Sequence, residues 1–329
     1  MTTNGPSLTP DGDPQPPLAG LRVIDMSTVL AGPNCARYLA DFGADVIKVE
    51  RPGGDSLRNM AWRDPRDGAG LWWKLVNRNQ RTVVLDVKDD ADRAVLLGLV
   101  DDAHVLVENS RPGTMERLGL GPEVLFDRNP TLVMTRVSGV GQDGPYSNRA
   151  GFATIAEAMS GLAALSGEPD GQPLLPPIAL TDEVTGLAAA FATMVALHSG
   201  VGQVVDANLL ETMFQMMGPL ASLYAVTGEQ QPRLGAGLHY PVPRGTYRCS
   251  DGRWVAVSTS SDTVAVRVLE VLGLDSLQLT TRWLHEIGVA ATSGVDFDLA
   301  RGHEYVRFSC AGGSEDMAEA CELVGSWQP

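Results

Sequence analysis

Residues 21–50 read LRVIDMSTVLAGPNCARYLADFGADVIKVE, and this stretch decides the fold class. Leu21–Ser27 is a short apolar run bounded by turn signals, as a buried strand requires. In the segment that follows, Leu30, Cys35, Tyr38, Leu39 and Phe42 recur at helical spacing, and Gly43 stops the helix. Asp45–Glu50, DVIKVE, reads as a second strand, closed by Arg51-Pro52-Gly53-Gly54. Strand, helix and strand in so short a span form a βαβ crossover, and strands joined in that way lie parallel.

The alternation continues outward. Thr82–Val87 reads as a strand, Asp89–Asp102 as an amphipathic helix, and His104–Asn109 and Thr131–Gly139 as further strands. Beyond Phe152 the composition shifts to small apolar residues. Helices are expected over Thr154–Ser166 and Thr185–Ser199, then a short strand in VGQVV (201–205) leading into another helix. GTYRCSDGRWVAVST (245–259) reads as a hairpin around a two-residue Asp251-Gly252 turn, with a helix at Asp262–Leu272 after it. Gly, Pro and Gln accumulate between Leu223 and Tyr240, which marks a boundary. The expectation is an α/β chain: a disordered tail over 1–16, a Rossmann-like parallel-sheet large domain over 17–225, and a smaller α+β second domain over 226–280. An atypical C-terminal segment covers 281–329, with a strand in YVRFSC and a final helix over Ser314–Trp327.

The net charge of −15 disfavours nucleic acid and anionic membrane as partners, so an anionic ligand must be held by local cations. The four cysteines, Cys35, Cys249, Cys310 and Cys321, lack C-x-x-C spacing, which argues against a disulfide framework or a zinc site. With an N-terminus that has neither a basic nor an apolar signal region, they suit a reducing cytoplasm. No uninterrupted apolar run approaches the ~18 residues a membrane span needs. Gly139-Val-Gly-Gln-Asp-Gly144 matches a dinucleotide fingerprint as text, but Pro145 and Tyr146 follow at once and no helix starts within it. None of the three lysines, Lys48, Lys74 and Lys88, sits where a pyridoxal phosphate (PLP) Schiff base would need one. The five histidines lie far apart.

One further stretch, Pro176–Met213, carries a carboxylate ahead of a long apolar helix. Pro176 and Pro177 make the approach extended. With the helix starting near Thr185, Asp182 is placed as its N-cap, where the dipole would hold it ionised.

These blocks together resemble the family III CoA-transferases of the CaiB/BaiF type, the group that includes formyl-CoA transferase and is related to α-methylacyl-CoA racemase. The resemblance covers residues 17–279 and rests on 17–55, NRNQRTVVLDVK (77–88), VLVENSRPGTMERLGLG (105–121), SGVGQDGPYSNRAGF (138–152) and Pro176–Met213. It implies that Asp182 attacks an acyl-CoA carbonyl and carries a covalent aspartyl-CoA intermediate. It also implies coenzyme A contacts at Val29, Leu30, Ala31, Arg51, Leu85, Lys88, Asn109, Ser110, Arg111 and Arg117. Coenzyme A then enters as substrate, with neither metal nor PLP. The partners are an acyl-CoA, a small carboxylic acid and a second copy, since family members form interlocked homodimers. Two alternatives stand beside this. The racemase branch carries a His after the glycine corresponding to Gly151, and here the residue is Phe152. From about Trp283 the chain instead resembles the C-terminal end of fold-type I PLP aminotransferases, with Arg307 matching their carboxylate-binding arginine. A C-terminus replaced in this way would suit a non-catalytic CoA-binding remnant.

Overall fold

The computed structural model describes residues 15–238, 244–249, 251–259, 275–287, 292–293 and 306–307, with single positions at 261, 264, 267, 273, 319, 323 and 324. The chain divides into two compact units. The first ends at Ala164 and resumes over Leu174–Gln231; the second takes Leu165–Pro173 and the chain from Pro232 onward. Thus the first unit runs a few residues beyond the boundary expected at 225, because Leu220–Thr227 is helical.

In the first unit the elements run β1 (Arg22–Asp25), α1 (Ala31–Asp41), β2 (Asp45–Glu50), α2 (Leu71–Val76), β3 (Gln80–Val84), α3 (Asp90–Val100) and β4 (Val105–Glu108). They continue through α4 (Thr114–Arg117), α5 (Pro122–Arg128), β5 (Val133–Ser138), α6 (Ala153–Met159), α7 (Leu162–Leu165) and α8 (Leu180–Ser199). β6 (Gln203–Asn208), α9 (Leu209–Met216) and α10 (Leu220–Thr227) follow. The six strands form one sheet in the order β3-β2-β1-β4-β5-β6, parallel throughout. Helices on the two faces bury separate cores. One gathers Val23, Cys35, Leu39, Val105 and Val133 with Ala189 and Ala196 of α8, and the other Ile24, Leu96, Leu106, Leu125 and Met134. This is the doubly wound parallel α/β sheet expected from the sequence. Helix α8 is long and apolar enough to cross a membrane, yet here its inner face packs on α1, β5 and β6.

Three local expectations change. The helix expected over 154–166 is two helices, because Gly161 takes φ +94° and breaks the ladder between α6 and α7. Helix α8 starts at Leu180, five residues before the expected Thr185. Tertiary contacts draw it forward: Ala179 packs against the Leu30, Leu57 and Val76 cluster, and the Thr181 hydroxyl donates to Glu157 at 2.8 Å. The third change lies in the second unit, in the hairpin of β7 (Arg244–Arg248) and β8 (Trp254–Ser258). Its turn is longer than two residues: the Cys249 amide donates to the Arg253 carbonyl, and Gly252, at φ +83°, donates back to Cys249.

The second unit also holds α11 (Ser276–Ile287), which buries Leu279 and Trp283, and a short antiparallel pair, β9 (Thr292–Ser293) with β10 (Val306–Arg307). The expected helices at 262–272 and 314–327, most of the YVRFSC strand, the side chain of Arg307 and nearly all of the N-terminal tail lie outside the described residues.

Candidate active site

Winding of the sheet reverses between β1 and β4, so their following loops part and leave a crevice at the carboxyl ends of the strands. β1 leads into Thr28–Leu30 and the start of α1, while β4 leads into Asn109–Arg111. One side chain ties the two loops together. Asn109 accepts from the Thr28 amide at 2.8 Å and donates to the Thr28 carbonyl at 2.6 Å. Next to this tie Val29 takes φ +66°, a left-handed conformation that is strained for a β-branched residue. Leu30 then begins α1 without a side-chain cap, which leaves first-turn amides available to an anion.

The end of β1 is pinned from below. Lys48, on β2 and 0% exposed, donates to Asp25 at 2.9 Å and to the Ser27 carbonyl at 2.6 Å. Asp25 also accepts the Ser27 amide at 2.8 Å and the Ser27 hydroxyl. A buried lysine without this carboxylate would carry a desolvation cost of several kcal/mol, on the order given for buried ions. Lys48 is therefore a structural cation.

Every residue expected to contact coenzyme A lies on this carboxyl edge. Val29, Leu30 and Ala31 form the first βα turn, Arg51 follows β2, and Leu85 follows β3 with its side chain buried. Lys88 is exposed in the turn before α3, and Asn109, Ser110 and Arg111 follow β4. Arg117 ends the short α4, exposed, donating to the Thr114 hydroxyl at 2.9 Å. They do not all share one pocket. A cleft of about 160 Å³ is lined by Asn109–Arg111, Ser138–Gly141 and Ser147 with Arg149–Phe152; the other expected contacts and Asp182 stand outside it. The glycine-rich stretch serves this cleft as a closed loop rather than as a helix start. A Cβ on Gly139 would lie 2.3 Å from the Gly151 Cα, so the two backbones touch, and the Gln142 amide anchors the loop on Asp206 at 2.8 Å. Arg149, which the sequence reading passes over, lies 4.2 Å from the Tyr146 ring and has no carboxylate partner among the described residues.

Asp182 lies in the first turn of α8, with Ala179 as the N-cap and no side-chain capping bond. The N-cap role expected from the sequence is thus corrected: the helix begins a turn earlier, and Asp182 falls inside it. Its carboxylate accepts no hydrogen bond from the described residues. Gly186, one turn on, brings α8 onto the first turn of α1; a Cβ there would lie 2.6 Å from the Asn34 Cβ and 2.8 Å from the Ala31 carbonyl oxygen. Ala179 and Gly186, a turn to either side of Asp182 along α8, thus both pack at the start of α1.

Electrostatics also run against the sequence expectation. Burial, then the nearby charges of Glu157 and Glu183, push the Asp182 carboxyl up to about 6. A helix N-terminus favours an anion by only about 0.3–1 kcal/mol, and desolvation outweighs it here. Glu183 is partly offset by Arg37, which donates to it at 3.4 Å and also contacts Asp41 at 3.5 Å. Glu157, on α6, is 5% exposed. It stands among alanines in TIAEAMSG (154–161), a context whose only cue is one acid on an otherwise apolar helix. Of the other buried carboxylates, Glu108 is pushed above its ordinary range by burial, although Arg136 binds it at 2.8 Å.

Comparison with known proteins follows the same lines. The family model described as CoA-transferase family III matches residues 18–296, past Trp283, where the sequence resemblance ends. The alpha subunit of succinyl-CoA–L-malate CoA-transferase from Chloroflexus aurantiacus is 42% identical over 274 residues, covering 81% of this chain and 64% of that protein. The succinyl-CoA–D-citramalate CoA-transferase of the same organism is 40% identical over 275 residues, covering 82% of this chain and 68% of that one. The chain thus spans about two thirds of the length of these relatives. The crystal structure of a CAIB/BAIF family protein from Brucella suis matches with a TM-score of 0.72 at 28% identity, over 95% of this chain and 79% of that one.

Proposed function

The chain belongs to CoA-transferase family III, and from that premise we propose that it moves coenzyme A from an acyl-CoA to a carboxylic acid through a covalent intermediate on Asp182. The observation that carries this reading is the setting of Asp182: in the first turn of α8, half-buried, without a hydrogen bond among the described residues, and between Ala179 and Gly186, which pack at the start of α1. A carboxylate stripped of water and hydrogen bonds is a better nucleophile than a capped one, and with a pKa of about 6 it is largely ionised at neutral pH.

In the first step an Asp182 oxygen bonds to the thioester carbonyl carbon, the C–S bond breaks, and coenzyme A leaves as thiolate, giving a mixed anhydride. The thiolate then attacks the aspartyl carbonyl; a C–S bond forms, the anhydride C–O bond breaks, and the first acid departs as its carboxylate. The acceptor acid runs the two steps in reverse. In this reading first-turn amides of α8 receive the oxyanions. The uncapped start of α1 and the cations Arg51, Lys88, Arg111 and Arg117 suit the phosphates of coenzyme A on an otherwise acidic chain. Both named relatives use succinyl-CoA and a hydroxy-dicarboxylic acid, so a succinyl donor and a dicarboxylate acceptor are the first pair to test. The reading includes a homodimer, supported by an exposed apolar row on α8 at Leu187, Phe191 and Val195. Two-base racemisation is disfavoured by Phe152, which cannot carry a proton and stands two-thirds exposed at the cleft.

Incubation with succinyl-CoA, trapping with hydroxylamine or borohydride, and peptide mass spectrometry should place the label on Asp182. Unlabelled wild type that still gains thermal stability from coenzyme A would overturn the reading in favour of a binding module.

A further inference from the structure

Glu157 is a buried acid that the reaction described above leaves without a task. Its Oε1 accepts the Thr181 hydroxyl at 2.8 Å, so it is fastened to the residue next to Asp182. Among the described residues it has no ion-pair partner, whereas Glu183 has Arg37. The elements packed on α8 supply little else. From α1 the charged group is Arg37, engaged with Glu183 and Asp41. From β5 it is Arg136, bound to Glu108 and Glu116; from β6 it is Asp206, holding the Gln142 amide; from α9 it is Glu211, near Asp206. Of the two charges that raise Asp182, that of Glu157 is the larger and has no ion-pair partner among the described residues, while that of Glu183 is partly offset by Arg37.

We propose that Glu157 is a positioning residue for the transfer reaction: its unpaired carboxylate, held beside Asp182 through Thr181, makes the ionised nucleophile costly and so favours the states in which Asp182 is acylated. The inference rests on Asp182 as the nucleophile. In both the mixed anhydride and the aspartyl-CoA thioester, Asp182 is neutral and the charge has left with the thiolate or the released acid. Repulsion from Glu157 is present before the first bond to Asp182 forms and absent in both acylated states that follow. It raises the basicity of Asp182 and biases the acylation equilibrium in the same direction, both by the same factor.

The test is Glu157→Gln, which keeps the shape and an oxygen acceptor for Thr181 while removing the charge, with Glu157→Asp as the charge-retaining partner. In wild type the acid limb of kcat/KM should fall near pH 6. Glu157→Gln should move that limb down by about one unit and reduce the fraction of chain trapped as aspartyl-CoA at limiting succinyl-CoA several-fold, up to about tenfold. Glu157→Asp should leave the limb near its wild-type position. A limb that stays in place in Glu157→Gln, with unchanged trapping on Asp182, would overturn the role of Glu157 while leaving the nucleophile intact. Absence of any Asp182 label in wild type would instead remove the reading on which it rests.

Discussion

At the scale of single residues, Asp182 combines two roles that pull in opposite directions. In the proposed reaction it is the reacting group, and in the resting protein it is a destabilising one. Its pKa in the folded chain, about 6, lies above the ordinary 3.8. The folded state therefore binds that proton more tightly than the unfolded state between these values. This stabilisation is complete below about pH 4 and is lost as pH rises through 6. Asp182→Asn should accordingly abolish transfer yet raise stability at pH 7 by about 1–3 kcal/mol, after allowance for its partial exposure to water. At pH 4 the two proteins should be nearly equal. Thermal melts at both pH values check the sign; an Asn variant less stable at pH 7 would contradict the geometry described for this turn. The sequence identified Asp182 but inverted its electrostatics. A helix dipole can be read from chain order, whereas Glu157 comes from α6, over twenty residues away and brought near only by folding.

At the scale of elements, the contact between α8 and α1 decides where Asp182 stands. Gly186 allows that contact, and alanine there would meet the Asn34 Cβ and the Ala31 carbonyl. Gly186→Ala should cost about 1–3 kcal/mol and depress activity as well, because Asp182 shifts with its helix. Gly98, exposed in α3 with nothing within 4 Å of an added Cβ, is the contrasting case. Gly98→Ala should gain about 0.5–1 kcal/mol without touching the reaction. Chemical denaturation of the two variants separates packing from propensity. Most strands were legible because buried parallel strands carry continuous apolar runs whose ends are fixed by turn residues, as in the Val105–Val107 part of β4. The start of α8 was not, because the sequence around Thr181 has no capping signature. What moved it is packing of Ala179 on Leu30 and Leu57 and the bond from Thr181 to Glu157.

At the scale of the whole molecule, the outer row of α8 presents Leu187, Phe191 and Val195 at a spacing of four, with Phe191 70% exposed. A row of that kind is costly to leave in water. In the proposed homodimer this row is the interface, so Phe191→Glu should give a monomer, with little change in monomer stability because the side chain touches solvent either way. Light scattering after size exclusion reads the mass directly, and an unchanged mass would exclude this row from the interface. The feature with the widest reach is smaller than any of these: the pair of hydrogen bonds between Asn109 and Thr28. They bridge the one gap in the sheet where neighbouring loops diverge, so the floor of the crevice is already set before any ligand arrives. In the proposed reaction capture then depends on collision and on what covers the crevice from above, and the seam itself contributes no gating step; its part is that of a fixed threshold over which coenzyme A would pass.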